Sequence, residues 1–346
     1  MHPGTVAEAA MPVIATLSSR VVRIMGLNPG YMTLQGSNTY LVGTGLERLL
    51  IDSGEGVEGY GEVLQRAVDE ESTRLGGTVR ISKLLLTHWH KDHIGGVATV
   101  RRLFPRVQLL KRPSKYVHTE VDVLCDVPLE VLEVEGATLQ LVHTPGHTDD
   151  HLCAFLQEEG ALFTSDTILG TGTSVFSSFT DYMNSLHLLE KMKPKRLYPA
   201  HGPVVEDGTA RIEEIIQHRS MREKQILQVL CERTQGVDAL DSEKGLTIRE
   251  LVDTIYTTTP AALKTAAGSN VFHHVKKLLN EERVVVRYAP EDLVYFLKDA
   301  TDYTVFGEGS NADVKVIERI LTEFRVAAAG DSSGAAVSHV SANAHW

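Results

Sequence analysis

Cysteine is scarce in this chain, and the scarcity removes two classes at once. Cys125, Cys153 and Cys231 are odd in number, far apart and in no CxxC pair, so neither a disulfide framework nor a thiolate zinc finger is available. They read as free or buried thiols of a reducing intracellular compartment, mitochondrial matrix or cytoplasm. Long apolar runs are missing too: none approaches the roughly 18 residues of a membrane-spanning helix, so no membrane partner is expected. No Lys or Arg precedes Arg20, and Glu8 lies in that segment, so neither a secretory signal nor a typical transit peptide is expected. Positive charge is the deficient sign. A formal net charge of -11 excludes non-specific nucleic-acid binding over the whole surface, where cations must replace phosphate counterions, so any RNA contact must be local.

What the chain does have is histidine and aspartate in an ordered series. The run Thr87-His88-Trp89-His90-Lys91-Asp92-His93 follows the apolar stretch 81–86 and precedes Gly95-Gly96, which reads as a strand end, a tight loop and a helix start. His147 in Thr144-Pro145-Gly146-His147-Thr148, Asp166 after the strand-like 161–164, and His201 in Pro199-Ala200-His201-Gly202 also follow short apolar runs at turn signals. Isolated histidines are usually surface or satisfied core residues, but chance does not readily set this many at strand ends. Neutral imidazoles and carboxylates are the donors a borderline cation prefers, and two cations need about seven once one is shared. His88 and His90, two apart on a loop, can face one metal, with Asp92 and His93 across the turn facing a second.

This order and spacing resembles the metallo-β-lactamase superfamily over residues 20–205. The resemblance implies an α/β fold, an αββα sandwich of two mixed sheets flanked by helices. It implies that His88, His90 and His147 hold one ion, that Asp92, His93 and His201 hold the other, and that Asp166 bridges them. Asp92 and Asp166 are then the catalytic carboxylates, and the cofactor is two Zn2+ per chain, with Mn2+ also tolerated by a thiolate-free set. Further segments, Asn28-Pro29-Gly30 through Gly43, Thr144 to His151 and Asp181-Tyr182-Met183-Asn184-Ser185-Leu186, resemble an endoribonuclease branch and, less closely, fungal thioesterases that release polyketides from a carrier protein. Tyr182 and Asn184 are substrate contacts on that resemblance alone. Ser165 before Asp166 and Ala200 before His201 depart from the glycines usual there. Ser165, Ser185 and the cysteines are taken as structural, because a dinuclear hydrolase needs no covalent nucleophile. Asp52, Asp149 and Asp150 are candidates to accept from the outer ring nitrogens of ligating histidines, and His151 is left outside the ligand set.

At 346 residues the chain exceeds the usual single domain of about 100 to 200, and its 42% hydrophobic content supports a sizeable core. An arm at 1–19 precedes the metal domain at 20–208, and helical spacing of Ile212, Ile215, Ile216, Ile226, Leu227 and Leu230 predicts a connecting helix over 209–235. Over 246–300, a capping box at Thr247 and Glu250, a helical segment from Thr259-Pro260, a third helix capped at Ser269-Asn270 and two strands flanking a turn predict a winged-helix-like unit. His273, His274, Lys276 and Lys277 give that third helix a modest basic face, with Lys276 and Lys277 as candidate substrate contacts. Arg283 and Arg287 follow it, and Lys191, Lys193, Lys195 and Arg196 form a second basic group. An amphipathic helix is expected in 301–326 and a disordered Ala-, Gly- and Ser-rich tail in 327–346.

These features lead to a dinuclear zinc hydrolase that cleaves single-stranded RNA with a metal-activated water. The alternative is a thioester hydrolase acting on acyl-carrier-protein or coenzyme A thioesters. The interval from Asp166 to His201 is too short for the extra domain of processing nucleases, and no cysteine stands at a ligand position as in many penicillin-destroying enzymes. A metal-stabilised scaffold without turnover would share the ligands, and a homo-oligomer is left open.

Overall fold

Alternation of buried residues along the strands builds two sheets whose inner faces share one core. The protein is represented by a computed structural model that describes residues 11–114, 123–124, 131–234, 245–259, 261–288 and 293–297. The first sheet has strand order β1-β2-β3-β4-β5-β6-β7, from β1 (Ile14–Thr16), β2 (Val21–Met25), β3 (Asn38–Val42), β4 (Glu47–Ile51), β5 (Arg80–Leu86), β6 (Gln108–Lys111) and β7 (Val123–Leu124). The second runs β12-β11-β10-β9-β8, from β8 (Val131–Val134), β9 (Ala137–His143), β10 (Leu152–Leu156), β11 (Ala161–Ser165) and β12 (Arg196–Pro199). Tyr40, Val42, Leu49, Ile51 and Leu85 of the first sheet meet Leu139, Leu141, Leu152, Phe163 and Tyr198 of the second between the layers. Their strand neighbours Leu41, Leu50, Leu84 and Leu86 point the other way.

Those outward residues are covered by α1 (Tyr60–Leu75) and α3 (Val97–Leu103), with Tyr60, Leu64, Ala67, Val68 and Val100 buried against them. On the second sheet, Val142, Cys153 and Leu162 are covered by α4 (Phe179–Lys191) and the start of α5 (Gly208–Thr234), through Leu186, Leu189, Ile212 and Ile215. The architecture is the expected αββα sandwich.

The register places the site. β5 runs parallel between β4 and β6, and β11 runs parallel to β12. The carboxyl ends of parallel strands, where loops can converge on a ligand, therefore deliver Asp52, Thr87, Asp166 and His201. The two sheets are joined at this edge: Asn38 donates its Nδ2 protons to the Pro199 and Gly202 carbonyls at 2.9 Å, and the Leu152 amide donates to Thr87 O at 2.9 Å.

The described residues from Gln217 onward form a second unit. Among the described residues it contains the later turns of α5, α6 (Ile248–Ile255), α7 (Ala261–Asn280) and the hairpin β13 (Val284–Tyr288) with β14 (Leu293–Leu297). The capping box at Thr247 and Glu250 forms as expected. The break expected at Ser269-Asn270 does not: α7 is continuous through it. Ala267, Val271, Val275 and Leu278 lie on one face and pack with Ile226, Leu230 and Leu251, so burial on both sides of Ser269-Asn270 outweighs its capping preference. The arm before residue 11, Cys125, the side chain of Arg287, and the helix and tail expected after residue 300 lie outside the described residues.

Candidate metal centre

All seven sequence-designated donors converge in two groups that meet at one carboxylate. His88, His90, His147 and Asp166 form one group and Asp92, His93 and His201 the other, with the donor atoms of each within 4.8 Å of one another. In the first, His90 Nδ1 is 3.0 Å from both His88 Nε2 and His147 Nε2, and Asp166 Oδ2 is 3.3 Å from His147 Nε2 and 3.7 Å from His88 Nε2. In the second, Asp92 Oδ2 is 3.2 Å from both His93 Nε2 and His201 Nε2, while Asp166 Oδ1 lies 3.5 and 3.2 Å from the same nitrogens. A tetrahedron with bonds of about 2.0–2.1 Å has edges of about 3.3 Å, so both groups have the spacing of a ligand set.

Proton placement points the same way. His147 Nδ1 lies 2.8 Å from the Val175 carbonyl, so it carries the proton and leaves the Nε2 lone pair aimed at His90. Burial holds His88 far below its ordinary value and pushes His90 down to about 3, which keeps both neutral and able to ligate. Lone pairs brought this close repel unless a cation lies among them. Asp166 Oδ1 and His93 Nε2 are buried without a hydrogen-bond partner, which is costly for a carboxylate oxygen that accepts nothing. The donor set fits divalent metal ions.

Electrostatics distinguish the two groups. Burial pushes His201 down, but Asp166 and Asp92 outweigh it and hold the ring at about 9. His93 is likewise opposed by burial and raised well above its ordinary value by Asp92, Asp166 and Asp52. Burial disfavours charge on Asp92 and Asp166, yet the surrounding imidazoles hold both carboxyls well below the usual range. A proton and a cation compete for the nitrogens of His93 and His201 far more than for those of His88 and His90.

The loops that carry these donors are fixed by close packing. His93 sits in the short α2 (Lys91–Ile94), where its carbonyl accepts from the Ser53 amide and hydroxyl, both at 2.8 Å. At Gly96 a Cβ would lie 1.9 Å from Ser53 O, so only glycine permits that approach. Gly146, at φ +135°, packs where a Cβ would stand 2.4 Å from the Tyr182 backbone. Ser185 Oγ donates to Pro145 O at 2.7 Å, and the Ser177 amide donates to Gly146 O at 2.7 Å.

These contacts correct several expectations. Tyr182 is 1% exposed; its hydroxyl donates to Thr167 O at 2.9 Å and its ring stacks on Phe176, so it buttresses the His147 loop and does not face substrate. Asn184 is exposed on α4. Asp52 accepts from His93 Nδ1 at 2.8 Å as expected, but Asp149 accepts from Ser114 Oγ and Asp150 from Lys111 and Thr148. The basic face on α7 is largely cancelled. Burial pushes His273 and His274 down to about 4 and 3, and Lys277 is paired with Glu223 and Glu281, leaving Lys276 exposed. Arg196 is paired with Glu206, and Arg283 with Glu223.

Three positioning groups escape the sequence reading. Ser37 Oγ donates to Asp92 Oδ2 at 3.1 Å and is itself held by Asn28. His151, fully buried, accepts the Asp166 amide proton at Nε2 across 3.2 Å. Thr87 Oγ1 reaches Asp52 and His88. Asn28, Ser37 and His151 stand in segments that carry the resemblance, and that placement was their available signal.

Comparison with known proteins bears on this site. The profile described as "Metallo-beta-lactamase superfamily" matches residues 32–201, and that of "Beta-lactamase associated winged helix domain" matches residues 247–288. A protein named Beta-lactamase-like protein 2 homolog from Drosophila melanogaster is 38% identical over 307 residues, 83% of this chain and 97% of that one. The chain belongs to the metallo-β-lactamase superfamily. Another superfamily relative, named Atrochrysone carboxyl ACP thioesterase, from Aspergillus fumigatus, is 41% identical over 256 residues, 72% of this chain and 78% of its own. The crystal structure of a beta-lactamase domain protein from Burkholderia ambifaria shares the fold at a TM-score of 0.65 and 16% identity, over 84% of this chain and 95% of that one. As a superfamily member with this donor cluster, the chain is a metal-binding hydrolase of mixed α/β fold with an associated winged helix.

Proposed function

We propose that the chain is an endoribonuclease that cuts single-stranded RNA, with two divalent ions, Zn2+ before Mn2+, held by the seven donors. The observation that supports it most is coverage: the chain, which carries both the metal domain and the winged helix, aligns with 97% of the Drosophila relative, and its motifs resemble the RNA-cutting branch. When bound, the ions supply Lewis acidity toward the scissile group and acidify a water. The chain's own residues do the positioning. Asp92 is oriented by Ser37, Asp166 by His151, His93 by Asp52 and His147 by the Val175 carbonyl.

Exposed groups on the same loops suit the substrate. Lys91, between His90 and Asp92, has a side chain 79% exposed and can meet a phosphate despite its contact with Glu55. Tyr31, 65% exposed, lies on the loop whose Asn28 holds Ser37 against Asp92, and offers a ring on which an unpaired base can stack.

The second reading, a thioester hydrolase, is favoured by the 41% identity to the Aspergillus relative named as a carrier-protein thioesterase. The test presents Zn2+-loaded native protein and an Asp166→Ala variant with end-labelled unstructured RNA and with an acyl thioester. Internal RNA cleavage by the native form alone is expected. Thioester hydrolysis alone selects the second reading, and a folded, metal-loaded protein inert on both contradicts the hydrolytic proposal.

A further inference from the structure

Ser165 closes β11 one residue before the shared ligand Asp166, with φ at 44°. A left-handed backbone disfavours every residue that has a Cβ, and glycine would adopt it without penalty. Its hydroxyl, however, lies 2.8 Å from Thr87 Oγ1 and 3.5 Å from His88 Nδ1. Thr87 Oγ1 is in turn 2.9 Å from Asp52 Oδ2 and 3.2 Å from His88 Nδ1, and Asp52 Oδ2 is 2.8 Å from His93 Nδ1. Ser165, Thr87, Asp52, His88 and His93 are all buried, so water does not compete for these bonds.

The protons in this group can be counted. His88 and His93 present Nε2 to the donor clusters, so each bears its proton on Nδ1. Asp52, a carboxylate, only accepts: Oδ1 takes the Thr87 amide proton at 2.8 Å, and Oδ2 takes those of His93 Nδ1 and the Thr87 hydroxyl. Thr87 has then spent its one hydroxyl proton, and its two lone pairs accept from His88 Nδ1 and from Ser165. The Ser165 hydroxyl therefore donates. Whether His88 Nδ1 donates to Thr87 at 3.2 Å or to Ser165 at 3.5 Å, Ser165 donates to Thr87, and the bonds run in one direction, from His88 and Ser165 through Thr87 to Asp52, where His93 also ends.

We propose that Ser165 is a positioning residue whose hydroxyl completes a relay, His88 donating to Thr87 and both Thr87 and His93 donating to Asp52, that orients one ligand of each metal group at once. Its left-handed backbone is what brings the hydroxyl to Thr87. Donation into Thr87 polarises that hydroxyl toward Asp52 and strengthens the bond that holds the relay in register. The inference rests on the donor cluster binding divalent ions and is independent of the substrate.

The test separates backbone from hydroxyl with two variants. Ser165→Gly removes both strain and hydroxyl, whereas Ser165→Ala keeps the strain and removes the hydroxyl. Zn2+ affinity is measured by competition with a chromophoric chelator, and unfolding of the chelator-treated protein by heat. Loss of a direct partner to a ligating histidine weakens metal binding about 10- to 100-fold; Ser165 acts one bond removed, through Thr87, so both variants are expected to bind Zn2+ more weakly by up to about tenfold. Ser165→Gly is expected to unfold at the same or a higher temperature than native protein, and Ser165→Ala at a lower one than Ser165→Gly. Native-like Zn2+ affinity in Ser165→Gly overturns the relay. A native chain that takes up no Zn2+ overturns the metal centre, and the relay with it.

Discussion

Lys111 and Asp150 form an ion pair with both side chains out of contact with water. Lys111 ends β6 of the first sheet, whereas Asp150 lies in the loop that carries His147 from the second, so the pair ties that ligand's loop to the opposite layer. Thr148 Oγ1 also donates to Asp150 Oδ1, and Lys111 Nζ also donates to the Arg112 carbonyl. Removing one member leaves a buried charge without its partner, which costs about 3–5 kcal/mol. Asp150→Asn is therefore expected to lower unfolding stability by about that amount in urea titrations. A loss below about 1 kcal/mol would show that water reaches Lys111.

Tyr182→Phe tests whether the 181–186 segment serves structure or substrate. The phenol donates to Thr167 O in a buried setting, so its loss is expected to destabilise by about 1–3 kcal/mol. KM should be unchanged because the ring faces Phe176 and the helix core. A raised KM with native stability would return Tyr182 to the substrate surface.

Protonation should separate the two donor groups. His201 is held at about 9 against an ordinary 6.5, so its protonated ring stabilises the metal-free fold. That contribution is complete below about 6.5 and is lost as pH rises through about 9. A cation at Asp92, His93 and His201 must displace those protons, so its affinity falls as pH is lowered from about 9. His88 and His90 are already neutral and release none over that range. Stepwise metal titrations from pH 6 to pH 9 should show one binding step that weakens with acid more steeply than the other. Two steps with equal pH slopes would contradict the assignment.

The ligands were legible because each donor follows a strand end and a turn signal, both local properties of the chain. His88 to His93 also place four donors within one turn of helix and its approach. Asp52 was legible for the same reason, directly after β4. Asp150 was not, because its partner Lys111 is 39 residues away and nothing near Asp150 announces a buried cation. Tyr182 and Lys277 were misjudged because residue type carries no orientation: one ring points into the core, and the other charge is met by Glu223, 54 residues earlier. The helix α7 shows the same limit, since the residues that decide its continuity at Ser269 are the apolar contacts on either side. The departure from glycine at Ser165 could be seen in the sequence, but the hydroxyl's target on another strand end could not.

Asp166 offers one oxygen to each group, so its removal should affect both ions at once. The most direct measurement is metal content per chain, by elemental analysis, of native protein and Asp166→Ala after equilibration with Zn2+ and removal of free ion. The account predicts two ions per native chain and one or none in the variant, with the fold retained by circular dichroism. Equal metal content in the two proteins, or none in the native chain, would contradict it.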